Sequence, residues 1–136
     1  MSLSLVPARV FSSYAAVTPE YLADRGVRLL LSDLDFTLAP KSCPAPDEAV
    51  RAWIASMQRA GIEVMILSNN RSPVRVERFC KDLGIRYIGW AKKPWPPGFR
   101  RARALTGVPA VETAMLGDKL LTDMLGANLN GCLALM

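Results

Sequence analysis

Two aspartates stand two residues apart just beyond an apolar run, in Val27-Arg28-Leu29-Leu30-Leu31-Ser32-Asp33-Leu34-Asp35-Phe36-Thr37. On extended backbone, side chains two apart project the same way, so Asp33 and Asp35 can converge on one point. Crowded carboxylates repel, and buried charge needs a partner, most simply a divalent cation. Such a pair favours phosphoryl transfer, with one carboxylate as nucleophile and its neighbour as acid/base. Asp-x-Asp at a strand end is also what a turn or a helix cap uses, so the pair alone leaves both readings open.

Three further polar clusters follow apolar runs in the same manner. Val64-Met65-Ile66-Leu67 leads into Ser68-Asn69-Asn70, whose hydroxyl and amides suit phosphate oxygens as well as they suit a turn. Ile85 to Ile88 leads into Ala91-Lys92-Lys93-Pro94, where a lysine held by the following proline would supply a fixed positive charge. Ala114-Met115-Leu116 leads into Gly117-Asp118-Lys119-Leu120-Leu121-Thr122-Asp123. Gly117 permits close backbone approach, and Asp118 emerges where it could ligate Mg²⁺ or cap a helix. Asp123 lies about one helical turn further on, able to orient a metal-bound water or to cap backbone amides.

Composition narrows the chemistry. The 136 residues contain no histidine, which removes Ser-His-Asp and Cys-His catalysis and His-ligated zinc or haem. Cys43, Cys80 and Cys132 are scattered and odd in number, which fits a reducing cytosol and offers neither a disulfide framework nor a zinc site. No apolar stretch approaches the roughly 20 residues that span a bilayer, and Pro7 and Arg9 interrupt any signal-like start. A formal charge of +5 favours anionic partners: phosphorylated substrates, nucleic acid or an anionic membrane surface.

The elements that must position these clusters alternate strictly. Strands are expected at Val27 to Ser32, Ile62 to Leu67, Ile85 to Ile88, Glu112 to Leu116 and Cys132 to Leu135. A short helix from Thr18 to Gly26 precedes the first strand. Between the strands lie helices from about Asp47 to Ala60, from Pro73 with Ser72 as cap, from Pro97 to Thr106 and from Leu120 to Leu129. The first of these carries an apolar stripe of Ala49, Val50, Trp53, Ile54 and Met57. The alternation implies one doubly wound, Rossmann-like α/β domain over residues 1–136, with a five-stranded parallel sheet and residues 1–26 packed on it as an N-terminal extension. All four polar clusters then share the carboxyl edge of that sheet, where ligands of such folds collect.

That set resembles the haloacid dehalogenase (HAD) superfamily of phosphohydrolases, through Asp-x-Asp-x-Thr at 33–37, Ser68-Asn69, Lys93-Pro94 and Gly117-Asp118-x4-Asp123. The finer pattern is similar to the YqeG-like group of subfamily IIIA: Leu-Ser-Asn-Asn at 67–70, Ala-Lys-Lys-Pro at 91–94, Gly-Asp-Lys-Leu-Leu-Thr-Asp at 117–123, and the opening from Leu5-Val6-Pro7 to Thr18-Pro19-Glu20-Tyr21-Leu22. Phe36 departs from the Asn usual in that group, and relatives usually continue beyond the position of Met136.

The resemblance implies a Mg²⁺-dependent phosphomonoester hydrolase. In it Asp33 is the nucleophile, Asp35 the acid/base, and Asp33, Asp118 and the carbonyl of Asp35 the metal ligands. Ser68, Asn69 and Lys93 would bind the phosphate, with Thr37, Gly117 and Asp123 in support. Only about 30 residues separate the first motif from Ser68, which leaves no room for a cap domain and favours a large substrate. Members of the group include phosphatidylglycerophosphate phosphatases, so a membrane phospholipid is the leading substrate; a polynucleotide end, a small phosphorylated metabolite and a catalytically silent binding module are the alternatives. The expected setting is cytoplasmic, with peripheral membrane contact through Leu3, Leu5, Val6, Val10 and Phe11 or through Arg71, Arg75 and Arg78. A homo-oligomer would be compatible with so open a site.

Overall fold

The computed structural model describes residues 6–34, 46–69, 73–89, 91–93, 95–117 and 120–136, with backbone alone at 73, 120 and 121. Five parallel strands run β1 (Leu29–Ser32), β2 (Glu63–Leu67), β3 (Tyr87–Ile88), β4 (Thr113–Leu116) and β5 (Leu133–Leu135). Their spatial order is β3-β2-β1-β4-β5. Helices α1 (Pro19–Asp24), α2 (Glu48–Arg59), α3 (Pro73–Leu83), α4 (Pro96–Thr106) and α5 (Leu125–Leu129) alternate with them, α5 being entered through a π-helical turn over Leu120–Met124. The order of strands reverses at β1, whose neighbours are β2 and β4, so the switch point of this doubly wound sheet lies between β1 and β4.

Every residue of β1 and β4 is buried, as expected for strands covered by helices on both faces. Period-two alternation divides them between two cores. Leu30, Val64, Ile66, Ala114 and Leu116 face Val50, Trp53, Ile54 and Met57 of α2 and Val76, Phe79 and Cys80 of α3. Leu29, Leu31, Met65, Leu67 and Met115 face Phe99 and Ala102 of α4 and Ala127 of α5. Of the stripe read on α2, Ala49 is exposed, and the other four residues form its buried face.

The strands begin one or two residues later than the apolar runs do, at four of the five for one reason. Val27, Ile62, Ile85 and Cys132 each donate their N–H back to the end of the preceding helix, to the carbonyls of Leu22, Met57, Cys80 and Ala127. Each follows a glycine, such as Gly61 at φ 80° or Gly84 at φ 68°, whose left-handed conformation makes that return possible. The apolar residue after the glycine therefore closes the helix and packs in the core without joining the ladder. At β4 the cause differs: Glu112 belongs to a 3₁₀ turn over Ala110–Glu112.

The N-terminal segment lies along the outer edge of β5. Ala8 N–H donates to Ala134 O at 2.7 Å and Met136 N–H to Arg9 O at 3.0 Å, so an otherwise open edge is covered. Trp53 ties the segment to α2 by donating its indole N–H to Val17 O at 2.9 Å. Val6 and Val10 are exposed, and Phe11 packs edge-on against Tyr21. Among the described residues no helix is long and apolar enough to cross a membrane.

Two outcomes follow from this packing. Leu30→Ala, at the centre of the sheet and inaccessible to solvent, should lower unfolding free energy by about 3 kcal/mol in urea melts with an unchanged m-value. Burial pushes the thiol of Cys80 up to about 12 and that of Cys132 up to about 11, the second tempered by Arg103. Both thiols should therefore resist iodoacetamide at pH 8 in the native protein and react once it is unfolded, as peptide mass spectrometry would record.

Candidate active site

Asp33 is the first residue beyond β1, at the switch point. Its N–H donates to Leu116 O at 3.0 Å, continuing the ladder with β4 one step past the strand. The side chain turns back, its Oδ1 accepting from Leu34 N–H at 3.0 Å, while Ser32 Oγ donates to Asp33 O at 2.8 Å. Asp33 is 4% exposed.

Lys93 reaches it from the loop after β3. Its Nζ lies 3.6 Å from Asp33 Oδ1 and 2.5 Å from Asp123 Oδ1. The second contact is a short charge-assisted hydrogen bond; the first is an ion pair without hydrogen-bond distance. Asp33, Lys93 and Asp123 are the buried charged residues among those described, and all three meet in this one cluster. Burying an ion costs several kcal/mol unless it is paired, so each depends on the others.

Asp123 enters from below, on the π-helical turn. An uninterrupted α-helix was the expectation from Leu120; the wider turn accompanies two consecutive inward side chains, Asp123 in the cluster and Met124 in the core. Gly117 makes room for it. A Cβ at 117 would overlap the Asp123 carboxylate and sit 2.6 Å from its Cβ, so here glycine is demanded by contact and not by its dihedral angles. No side chain at 117 could coexist with Asp123 in this position, which gives the Gly117-x5-Asp123 spacing a physical meaning.

Ser68 is buried at the end of β2, its N–H donating to Ile88 O at 3.0 Å. Asn69 was read as a phosphate ligand. In the structure its amide engages the lysine loop: Lys93 N–H donates to Asn69 Oδ1 at 2.7 Å, and Asn69 Nδ2 donates to Lys93 O at 3.0 Å. The structure also separates the adjacent lysines, with Lys93 buried in the cluster and Lys92 exposed.

Asp35, Phe36, Thr37, Arg71, Ser72, Pro94 and Asp118 lie outside the described residues, as do Leu3 and Leu5. Arg75 is partly buried and Arg78 exposed on α3. Among the described residues no three carboxylates, histidines or cysteines form a metal-binding group. The carboxylate of Asp33 stands at this buried edge beside the Lys93 ammonium. Carboxylate oxygens are hard donors of the kind Mg²⁺ takes.

The pairing of Lys93 with Asp123 escaped sequence reading, which left Asp123 as a water-orienting or capping residue. The available signal was that Asp123 stands among Leu120, Leu121, Met124 and Leu125, so that a face burying these can bury it too, and a buried aspartate needs a partner.

Asp33, Lys93 and Asp123 thus form one buried charged cluster at the switch point of a doubly wound α/β domain. The family model for haloacid dehalogenase-like hydrolases matches residues 12–131, and the chain belongs to that family. It is 39% identical over 115 residues to the probable phosphatase YqeG of Bacillus subtilis, covering 85% of this chain and 66% of that protein. Among solved structures, a hypothetical protein from Xanthomonas campestris superposes with a TM-score of 0.61 at 23% identity, over 85% of this chain and 71% of that one. The cobalt-bound deoxy-D-mannose-octulosonate 8-phosphate phosphatase of Haemophilus influenzae gives 0.58 at 23% identity, over 69% and 60%. At these identities the structural matches bear on fold. The chain thus spans 66% of the length of its YqeG relative and 60% of that of the Haemophilus enzyme.

Gly117→Ala should push the Asp123 carboxylate away from Lys93. Urea melts should show a loss of about 1–3 kcal/mol. Asp123→Ala, which leaves the ammonium buried without its nearest partner, should cost about 3–5 kcal/mol.

Proposed function

We propose that the chain is a phosphomonoester hydrolase that works through an aspartyl-phosphate on Asp33. The observation that carries this reading is the buried contact of Lys93 with both Asp33 and Asp123 at the sheet's switch point. Asp33 is held by its own backbone contacts with one carboxylate edge toward a fixed cation, the arrangement a nucleophile needs against an anionic phosphate.

In the proposed reaction an Asp33 oxygen attacks phosphorus in line with the ester oxygen. The P–O bond to the leaving group breaks, and Asp35 delivers the proton that makes that group an alcohol. Asp35 then takes a proton from water, the resulting hydroxide attacks phosphorus, and the acyl-phosphate P–O bond breaks to return Asp33 and inorganic phosphate. Lys93 offsets charge on the transferring group, and Ser68 donates to a phosphate oxygen. Asp123 holds Lys93 in place and Gly117 gives Asp123 its room. Asp33, Asp118 and the carbonyl of Asp35 would hold Mg²⁺, which supplies electrostatic neutralisation of the phosphate oxygens.

For the substrate we favour a phospholipid phosphomonoester of the phosphatidylglycerophosphate type. YqeG is described as a probable phosphatase, and similarity to it supports the class of reaction. The lipid reading rests on the protein's +5 charge and on exposed apolar side chains flanking the same edge. Trp95, 62% exposed, follows the lysine loop at the start of α4, and Val74 is exposed in the first turn of α3. A tryptophan beside basic residues is a common interfacial anchor, and an anionic bilayer would concentrate a basic protein in a cytoplasmic, peripheral setting.

Phosphate release should be measured on lipid, nucleotide and sugar phosphates, with chelator and with Mg²⁺ restored. Asp33→Asn should lower kcat by on the order of 10³-fold or more in a protein that still folds, as its circular dichroism would show. Turnover on phosphatidylglycerophosphate in vesicles should exceed that on soluble sugar phosphates and fall as salt rises. Full activity in chelator, or in Asp33→Asn, would overturn the mechanism. Efficient turnover of a soluble metabolite with none on vesicles would overturn the lipid substrate alone.

A further inference from the structure

Two adjacent lysines leave the loop after β3 in opposite directions, and the backbone between them is strained. Lys92 has φ 57°, and it is the one non-glycine residue at positive φ among the described residues. A side chain with a Cβ resists that conformation, so it persists where surrounding contacts over-determine it. The contacts are on hand. Ala91 N–H donates to Ser68 O at 2.8 Å and Trp95 N–H to Lys92 O at 3.0 Å. Between those two points the loop is held by Asn69, whose amide accepts from Lys93 N–H at 2.7 Å and donates to Lys93 O at 3.0 Å.

That double bond needs a donor and an acceptor on one short side chain. Aspartate could accept from the Lys93 N–H but would set a carboxylate against the Lys93 carbonyl. Alanine would make neither bond. The amide thus acts as a one-residue strand, adding the loop to the end of β2. Its effect is to hold the left-handed turn at Lys92, which sends Lys92 outward and Lys93 inward.

We propose that Asn69 is a positioning residue: its side-chain clasp on the Lys93 backbone keeps the strained turn at Lys92 in place and so keeps the Lys93 ammonium between Asp33 and Asp123. The consequence for turnover rests on the phosphatase reading; the consequence for Lys93 itself does not.

Two readouts separate them. The first is brief acylation of the native protein by an N-hydroxysuccinimide ester, with modification at each lysine counted by peptide mass spectrometry. In the wild type Lys92 should be modified and Lys93 protected. In Asn69→Ala the labelling of Lys93 should rise by about tenfold or more as the loop opens, with Asn69→Asp intermediate. The second is turnover, where Asn69→Ala should lose about 10²-fold in kcat.

The deciding variant adds Lys92→Gly, because glycine takes φ near 57° without strain and no longer needs the clasp. Asn69→Ala/Lys92→Gly should regain protection of Lys93 and at least about tenfold of the lost kcat, whereas Lys92→Gly alone should keep near wild-type turnover and melt slightly higher. A merely structural asparagine would not be rescued from a neighbouring backbone position. Should Asn69→Ala fail to fold, the same labelling and rescue on Asn69→Asp decide the matter. Protection of Lys93 unchanged in Asn69→Ala, or no rescue by Lys92→Gly, overturns the proposal. A wild type without phosphatase activity but with this labelling pattern overturns the phosphatase reading and leaves the positioning role standing.

Discussion

One ammonium group, Lys93 Nζ, buried between Asp33 and Asp123, is the interaction on which the rest of the site depends. It joins the end of the first strand, the loop after the third and the helix after the fourth, three parts of the chain up to 90 residues apart in sequence. Taking these charges from water is costly, and their mutual attraction repays it only with good geometry. The position of each is therefore set by the others, and the surrounding backbone adapts to keep the cluster together.

The topology makes that meeting possible. With strand order β3-β2-β1-β4-β5, the chain winds outward from β1 through β2 to β3, then returns across β1 to β4 and β5. Helix α2, which follows β1, and helix α5, which follows β4, pack on opposite faces of the sheet, and the point of reversal between them is where ligands of such folds collect. Asp33 and Gly117 directly follow β1 and β4 on either side of that point, and Ser68 and Lys93 follow β2 and β3 along the same carboxyl edge.

Much of this was legible in sequence because it depends on period and punctuation. Apolar runs of four to six residues alternating with helical stripes specify a parallel sheet, and a polar cluster after each run marks its carboxyl edge. Strand starts were less legible, because Val27, Ile62, Ile85 and Cys132 look like strand residues while their amides close the preceding helices. The partners within the site were less legible still. The sequence shows that Asn69, Lys93 and Asp123 share an edge, but not that Asn69 binds backbone or that Asp123 binds Lys93. Those pairings depend on a left-handed turn at Lys92 and a π-helical turn before α5, and neither has a local sequence signature.

The two edges of the sheet obey different rules. At the amino edge, where helices give way to strands, the chain follows local preference: glycine in the left-handed region, then an apolar residue returning its amide to the helix. At the carboxyl edge the local preferences are broken repeatedly. A lysine takes the left-handed conformation, a helix opens through a π turn, and three charged side chains are buried. Gly98 occupies the first turn of α4, where helix propensity disfavours it, because a Cβ there would lie 2.8 Å from the Cβ and the carbonyl oxygen of Ala91. That glycine lets the lysine loop rest directly on α4. The lysine loop and the π turn each bring a charge to Asp33, so conflicts between local and global preference collect around the cluster.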